Sequence, residues 1–274
     1  ACHGGPLTQD YYKDSCANVE HIVRNVTWKY VAQDLTLAAP LLRLHFHDCF
    51  FRGCDASVLL DSTPNNTAEK DAPPDLTLGG FNIIDDIKSE VEKTCPRIVS
   101  CADIVALAAR DSVPFQYKRL LWEVPLGRRD GTISLASEVI ANIPAPTFNF
   151  SQLKQNFASK SLRQPLTFVH TSLEIHIAIL STIDYIILPE KAYQLMDPTS
   201  SLSFDTHYYK ILLENEGLFQ SDAALLTDQG SLEEVKKLLS FEYLLEKFAY
   251  SMKKMGEIQV LTGIEGQIRK NLAW

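Results

Sequence analysis

Apolar residues recur at helical spacing along Val19 to Tyr30, Ala38 to Phe46, Phe81 to Val91, Ala102 to Ala109 and Leu153 to Phe157. Each stretch carries an apolar stripe that must be buried against a neighbour, so the pattern predicts a mainly α protein. Thr63-Pro64-Asn65-Asn66, Ala72-Pro73-Pro74-Asp75 and Ile143-Pro144-Ala145-Pro146 separate the helical stretches, because proline lacks an N–H and its ring clashes with the preceding turn. With 274 residues, 46% of them apolar, the chain can bury one substantial core, or two lobes sharing one. The longest strongly apolar stretch, Phe168 to Leu188, is broken by His170, Glu174, His176 and Asp184, so no membrane span is expected. A formal charge of −8, without clustered Lys and Arg, argues against nucleic acid as a partner. One composition shift stands out: Pro165 to Leu188 is rich in Ile, Leu and Thr and contains no glycine.

The string Leu41-Leu42-Arg43-Leu44-His45-Phe46-His47-Asp48-Cys49 carries the most chemistry. On a helix, Arg43 and His47 are four residues apart and share a face, with Phe46 close by, while His45 points elsewhere. An Arg and a His so placed suit peroxide activation. The base takes a proton from one oxygen and returns it to the other, and the fixed cation stabilises the charge that develops as the bond breaks. An isolated pair would more often be a surface arginine and a core histidine, but the following residues favour the functional reading. Asp48, Asp55, Ser57 and, farther on, Glu69 present side-chain oxygens around Phe51-Arg52-Gly53, whose carbonyls a tight loop could turn inward. A hard cation such as Ca²⁺ takes six to eight oxygens of this mixed kind.

Of the six cysteines, Cys49 and Cys54 would close a short loop, whereas Cys16, Cys95 and Cys101 lie farther apart. Oxidised pairs, together with Asn-x-Ser/Thr triplets at Asn25, Asn65 and Asn149, fit passage through the secretory pathway and a secreted (extracellular or cell wall) or vacuolar address. No charged and then apolar leader precedes Ala1, which discriminates nothing.

The run from Arg43 to Leu60, RLHFHDCFFRGCDASVLL, resembles the distal-haem signature of class III plant secretory haem peroxidases. The similarity continues through Glu69 to Ala72, Ser100 to Ile104, Pro125 to Gly131 and Ile143 to Pro146. It resumes with Phe204-Asp205, Gly217 to Asp222, Met252 to Gly256 and Gly266 to Lys270, covering roughly Leu7 to Leu162 and Met196 to Lys270. The resemblance implies a haem-peroxidase-like two-lobed helical fold over residues 1–274, with a distal lobe of about 1–150 and a proximal lobe of about 151–274. It implies haem b between the lobes, two calcium ions, and a monomer in which H₂O₂ oxidises the haem and small phenolic donors reduce it in single-electron steps. Matched residue by residue, Arg43 is the charge stabiliser, His47 the acid/base, and Pro144 a substrate contact. Asp48, Phe51, Gly53, Asp55, Ser57 and Glu69 fall on the distal calcium site, and Asp197, Ser200, Ser203 and Asp205 on the proximal one. Cys16 pairs with Cys95, and Cys49 with Cys54.

The pattern breaks in several places. The family's Leu-Ser-Gly-[Ala/Gly]-His-Thr-[Ile/Phe]-Gly haem-ligand stretch is missing. His170, followed by Thr171, is the candidate replacement ligand, with His176 as the alternative. The segment 163–195 is accordingly expected to be unrelated sequence from an aberrant splice or gene model, which would impair catalysis; an RNA that faithfully encodes these residues would count against that. Asp75 stands where the family usually has asparagine, and a carboxylate there is expected to raise the pKa of His47 and move the activity optimum upward. Cys2 and Cys101 are left over, since the family's remaining bridges lack partners. Val113 to Leu121 lacks the Gly-Gly-Pro-like turn expected before Trp122. The rival to a peroxidase is a secreted calcium-binding glycoprotein without redox chemistry. A hydrolytic metal site built from His45, His47 and Asp48 is disfavoured, because helical spacing separates the two histidines.

Overall fold

The computed structural model describes residues 6–160, 162, 186–187, 193–194, 197, 200 and 202–273. It is helical, and it divides into two compact units, Ala1–Asn142 with Gly256–Trp274, and Ile143–Met255.

The first unit contains α1 (Val19–Val31), α2 (Ala38–Phe51), α3 (Phe81–Thr94), α4 (Cys101–Ser112) and α5 (Ala136–Asn142). The first four contain the helical stretches expected there from periodicity. Every residue of α4 is buried, and α1, α2 and α3 all pack on it. Its alanines let those neighbours approach closely, and Ser100 caps its first turn by accepting from the Asp103 amide, a bond whose loss typically costs about 1 kcal/mol. Helix α1 turns Val19, Val23, Thr27 and Val31 inward at four-residue intervals, which is the amphipathic stripe read from sequence.

A helix buried all round must satisfy its polar groups, and α4 does so. Asp103 accepts from Tyr12 Oη at 2.8 Å and from Arg128 Nη1 at 2.8 Å, while Arg110 pairs with Asp111 at 2.8 Å. Lys88 of α3, also buried, donates to Glu92 Oε1 and the Val99 carbonyl, each at 2.7 Å.

The last residues of the chain are stitched into this unit. The Arg129 amide donates to the Leu261 carbonyl, Asp130 and Gln267 exchange backbone bonds, Arg128 donates to the Gly256 carbonyl, and Arg269 Nη2 reaches the Ala56 carbonyl at 2.6 Å. The disulfides Cys16–Cys95 and Cys49–Cys54 both form, as the resemblance implied. The first spans 79 residues, and a crosslink of that span removes about 4 kcal/mol of unfolded-chain entropy.

The second unit holds α6 (Phe150–Ser159), α7 (His207–Leu213), α8 (Gln220–Ala224), α9 (Gln229–Lys237) and α10 (Phe241–Met255), with a two-residue antiparallel pair, Ile186–Ile187 and Tyr193–Gln194. Asn149 and Gln152 form a reciprocal capping box at the start of α6, which fixes where that helix begins. Phe204 and Phe248 stack at 4.5 Å between ring centroids in its core. The irregular stretch Val113–Leu121 begins as a 3-10 turn, Val113–Gln116, and Lys118 sits 3.7 Å over the Phe115 ring. No described helix is long and apolar enough to cross a membrane.

Candidate active site and cation cluster

Helix α2 places Arg43 and His47 one turn apart, and Arg43 Nε donates to His47 Nε2 at 3.3 Å. The rest of the guanidinium is held by one short turn. Nη1 donates to the Thr77 carbonyl at 3.1 Å and to Thr77 Oγ1 at 2.9 Å, and Nη2 donates to the Pro74 carbonyl at 3.1 Å. On the other edge of the imidazole, Nδ1 lies 2.7 Å from Asp75 Oδ1, and Phe46 and Phe51 meet the ring edge-on. His45 faces away, as the spacing predicted. It is buried beside Cys49 Sγ at 3.6 Å, and burial followed by the charge of Arg128 pushes it down to about 3.

The pKa expectation for His47 is corrected. Burial, then the neighbouring Arg43 cation, hold His47 well below its ordinary value, while burial pushes Asp75 up to about 7 against the opposing pull of Arg43. Sequence reasoning counted the attraction between a carboxylate and an imidazolium. Desolvation outweighs it, because both groups are nearly inaccessible to water and both therefore favour their neutral forms. As pH rises through about 7 the pair gives up its shared proton. It is then left as Asp75 carboxylate accepting from His47 Nδ1–H, with Nε2 unprotonated and accepting from Arg43 Nε.

Below this site, the end of α2 and the following loop gather Asp48, Asp55, Ser57 and Glu69, all buried. Asp48 Oδ2 accepts from the Ala56 amide at 3.0 Å, Asp55 Oδ1 from the Ser57 amide at 3.0 Å, and Glu69 Oε2 from Ser57 Oγ at 2.9 Å. Asp48 Oδ1 and Glu69 Oε1 have no partner. Burial raises all three carboxyls. Asp48 is lifted further by Asp55 and Glu69, and Glu69 reaches about 8. Three buried acids, two of them with an unpartnered oxygen and all three raised by burial, fit a hard cation, which supplies the missing charge and uses an all-oxygen donor set. Gly53, with φ +110°, lets the loop pass Gln259, whose carbonyl oxygen would lie 2.4 Å from any Cβ added there. Phe51 closes α2 at the head of the same loop.

Other candidates sort differently. His45, Asp48 and Cys49 cluster closely enough to suggest a metal set, but the sulfur of Cys49 is committed to its disulfide. Asp197 is buried and pairs with His207 Nδ1 at 2.7 Å, and its Oδ1 also accepts from the Ser200 amide at 3.0 Å. Asp205 accepts from the His207 amide at 2.8 Å and from Ser200 Oγ, and the Ser203 amide donates to the Ser200 carbonyl. Pro144 is buried within the second unit. His170, His176 and Cys2 lie outside the described residues. Cys101 is a buried free thiol, pushed up to about 12 by burial and Asp130, and is therefore inert.

Sequence reasoning missed two features. The anchoring of Arg43 by Pro74 and Thr77 runs partly through backbone carbonyls, which leave no residue-type signal. Asp222 was read only as part of a motif, yet it is fully buried, its Oδ1 has no partner, and burial raises it to about 6.

The peroxidase family model matches residues 23–169. Peroxidase 1 of Arabidopsis thaliana is 41% identical over 300 residues, covering 98% of this chain and 92% of its own. The chain belongs to the peroxidase family. Peroxidase 5 of Vitis vinifera is 43% identical over 297 residues, covering 97% of this chain and 90% of its own. Peroxidase 1 of Oryza sativa subsp. japonica is 42% identical over 299 residues, covering 96% and 91%. This peroxidase is thus an oxidoreductase of the plant type, with two of the disulfides its family resemblance implied. The aligned length to the Arabidopsis protein exceeds the 274 residues of this chain, so that relative carries residues this peroxidase lacks.

Proposed function

We infer that this peroxidase uses hydrogen peroxide to oxidise small phenolic donors in single-electron steps, with haem b as its cofactor. The arrangement of Arg43, His47 and Asp75 carries this reading. His47 Nε2 accepts the proton of a bound peroxide and returns it to the departing oxygen, and Arg43, fixed by three acceptors, stabilises the negative charge that develops there. Haem b, when bound, supplies the redox centre that peroxide oxidises and donors reduce. Asp222 supports a haem-type partner in the second unit, since a buried carboxylate with an unpartnered oxygen suits the N–H of a metal-bound imidazole. His170 is the candidate for that imidazole, and Pro144 for a donor contact. Asp48, Asp55, Ser57 and Glu69, with the carbonyls of Phe51 and Gly53, hold calcium, and Asp197, Ser200 and Asp205 are the candidate second set. The disulfides and the exposed Asn25, Asn65 and Asn149 support a secreted or vacuolar glycoprotein that acts as a monomer.

The test is an absorbance spectrum after haem reconstitution, paired with stopped-flow mixing with hydrogen peroxide. A Soret band that shifts in His170→Ala, with a peroxide rate about 10²–10⁴-fold lower in His47→Ala, is the expected result. A Soret band unchanged in His170→Ala removes that residue as ligand, and equal peroxide rates in His47→Ala remove the acid/base assignment. A second reading rests on one observation: the family match ends at residue 169, immediately before His170. If no haem is retained, the chain is a calcium-binding homologue without redox activity.

A further inference from the structure

We propose that Asn25 carries an N-linked glycan whose first sugar lies in the groove between α1 and α3, covering the half-buried apolar residues there. This inference rests on the secreted-glycoprotein reading above and adds to it one occupied site and a bed for the sugar.

Thr27 completes the Asn25-Val26-Thr27 triplet, and its hydroxyl has no use in the folded chain. It sits with Val19, Val23 and Val31 on the buried stripe of α1, is 0% exposed, and its Oγ1 has no hydrogen-bond partner. A buried hydroxyl without a partner costs stability that valine, of nearly the same shape, would not. What the hydroxyl does supply is the acceptor triplet for glycosylation. Thr67 and Ser151, which complete the triplets at Asn65 and Asn149, are exposed; Thr27 alone of the three must be recognised before its helix packs. In that reaction Asn25 Nδ2 bonds to the anomeric carbon of a lipid-diphosphate-linked oligosaccharide. The bond from that carbon to the diphosphate oxygen breaks, the lipid diphosphate leaves with the electron pair, and Nδ2 gives up one proton. Its other N–H remains, and can keep the 2.9 Å bond that Nδ2 donates to His21 Nε2 in the folded helix.

The groove that Asn25 lines has a volume of about 460 Å³, within the range of small-ligand sites. From α1, Ile22 and Val26 line it at one-turn spacing with Asn25 between them, which puts all three on one face. Both apolar residues are half-buried and form a floor beside the exposed attachment residue. Tyr30 lines the same groove, and its hydroxyl donates to Asp86 of α3, so the ring is tied to both helices. Farther along α3, Glu90 and Lys93 line the groove and pair at 2.6 Å. A pyranose has C–H faces and a rim of hydroxyls. The faces suit Ile22, Val26 and the Tyr30 ring, and the hydroxyls suit the carboxylate and ammonium of α3.

The test uses the protein secreted from a mammalian cell line, mapped before and after a peptide-N-glycosidase that converts each released asparagine to aspartate. Asn25 should carry sugar. Lys93 should react with an amine-acylating reagent severalfold more slowly than after enzymatic release, while Lys270, exposed and outside the groove, is unchanged. Tyr30→Ser should keep the glycan and lose the protection. In an Asn25→Gln background, which lacks this glycan, Thr27→Val should raise Tm by a few degrees, because it deletes an unpartnered hydroxyl. Sugar at Asn65 and Asn149 but none at Asn25 would overturn the proposal, as would an Asn25 glycan that leaves Lys93 unprotected. A lower Tm in Thr27→Val would give the hydroxyl a role in the folded chain and remove the reason for assigning it to glycosylation. If Asn25→Gln does not fold, Thr27→Val by itself is compared with the enzymatically released parent. Sugar at none of the three asparagines sinks the glycoprotein reading and this inference with it, whereas an empty Asn25 beside occupied Asn65 and Asn149 sinks this inference alone.

Discussion

The two acidic clusters of this peroxidase use similar residues and reach opposite electrostatic ends. Around Asp48, three buried carboxyls crowd one another, and two of their oxygens lack a partner. Around Asp197, an imidazole, two backbone amides and a hydroxyl occupy the acids: Oδ1 of Asp197 takes two donors, and Asp205 takes two more. The first cluster leaves two acid oxygens open to a cation, whereas the acids of the second accept from their own neighbours among the described residues. Ligand-type side chains are therefore a poor guide to metal binding until their partners are counted, because an oxygen that already accepts from a neighbour gives up that bond to take a metal.

The largest expected effect separates the clusters directly. Chelation should destabilise the protein, and at a calcium concentration of about 1,000 times Kd the loss is about 4 kcal/mol, or roughly 10 °C in Tm for a chain of this size. Asp48→Ala should abolish the chelator effect, while Asp205→Ala should leave it in place. Thermal melts of the three proteins with calcium or chelator are sufficient, and a chelator effect lost in Asp205→Ala instead would reverse the comparison.

Acidity sharpens the same contrast. Without a cation, Glu69 in the folded chain holds its proton up to about 8, above its ordinary 4.5. Between those values the folded state binds more protons than the unfolded state, so cation-free stability falls as pH rises through that window. Calcium bound at these acids would displace those protons, and its stabilising effect should grow over the same interval. Calcium titrations followed by calorimetry at several pH values should show proton release and tightening affinity as pH increases; affinity independent of pH would mean the acids are already ionised.

Asp75 is an intermediate case, with one oxygen on His47 and the other unpartnered. Its pKa is raised to about 7, so the rate of reaction with hydrogen peroxide should rise up to about tenfold per pH unit below that point and level off above it. Asp75→Asn removes the titrating carboxyl and should flatten the profile. A profile unchanged by that substitution would assign the titration to another group.

Much of this was legible in the sequence, for physical reasons that differ from residue to residue. Helices α1 to α4 and α6 contain the stretches whose apolar periodicity requires a buried face, and the loop after α2 advertised itself through acids, a glycine and two closely spaced cysteines. The partner of His47 was legible only through the family resemblance, which sets Asp75 where an asparagine usually stands, and the structure has it 2.7 Å from the ring. The direction of the His47 shift was not, because desolvation depends on how many atoms surround a group and no local pattern encodes that. The grip of Pro74 and Thr77 on Arg43 spans 31 and 34 positions and uses carbonyls common to all residues. His207 escaped notice for a related reason: its role is set by Asp197, ten positions away, across a stretch with no periodic signal.

His207 gives the smallest and most discriminating prediction. Its side chain is 29% exposed, so its bond to Asp197 is screened by solvent and is worth about 1 kcal/mol or less. Removing it in His207→Ala should lower Tm by only a few degrees. The informative readout is calcium: losing the imidazole removes one of the two donors on Asp197 Oδ1 and makes the second cluster more like the first. His207→Ala should therefore bind additional calcium, or bind it more tightly, than the parent protein in equilibrium dialysis, with Asp197→Asn in the same background cancelling the gain. If His207→Ala leaves calcium binding unchanged, internal hydrogen bonding is not what distinguishes the clusters, and the contrast must lie in backbone geometry around Ser200.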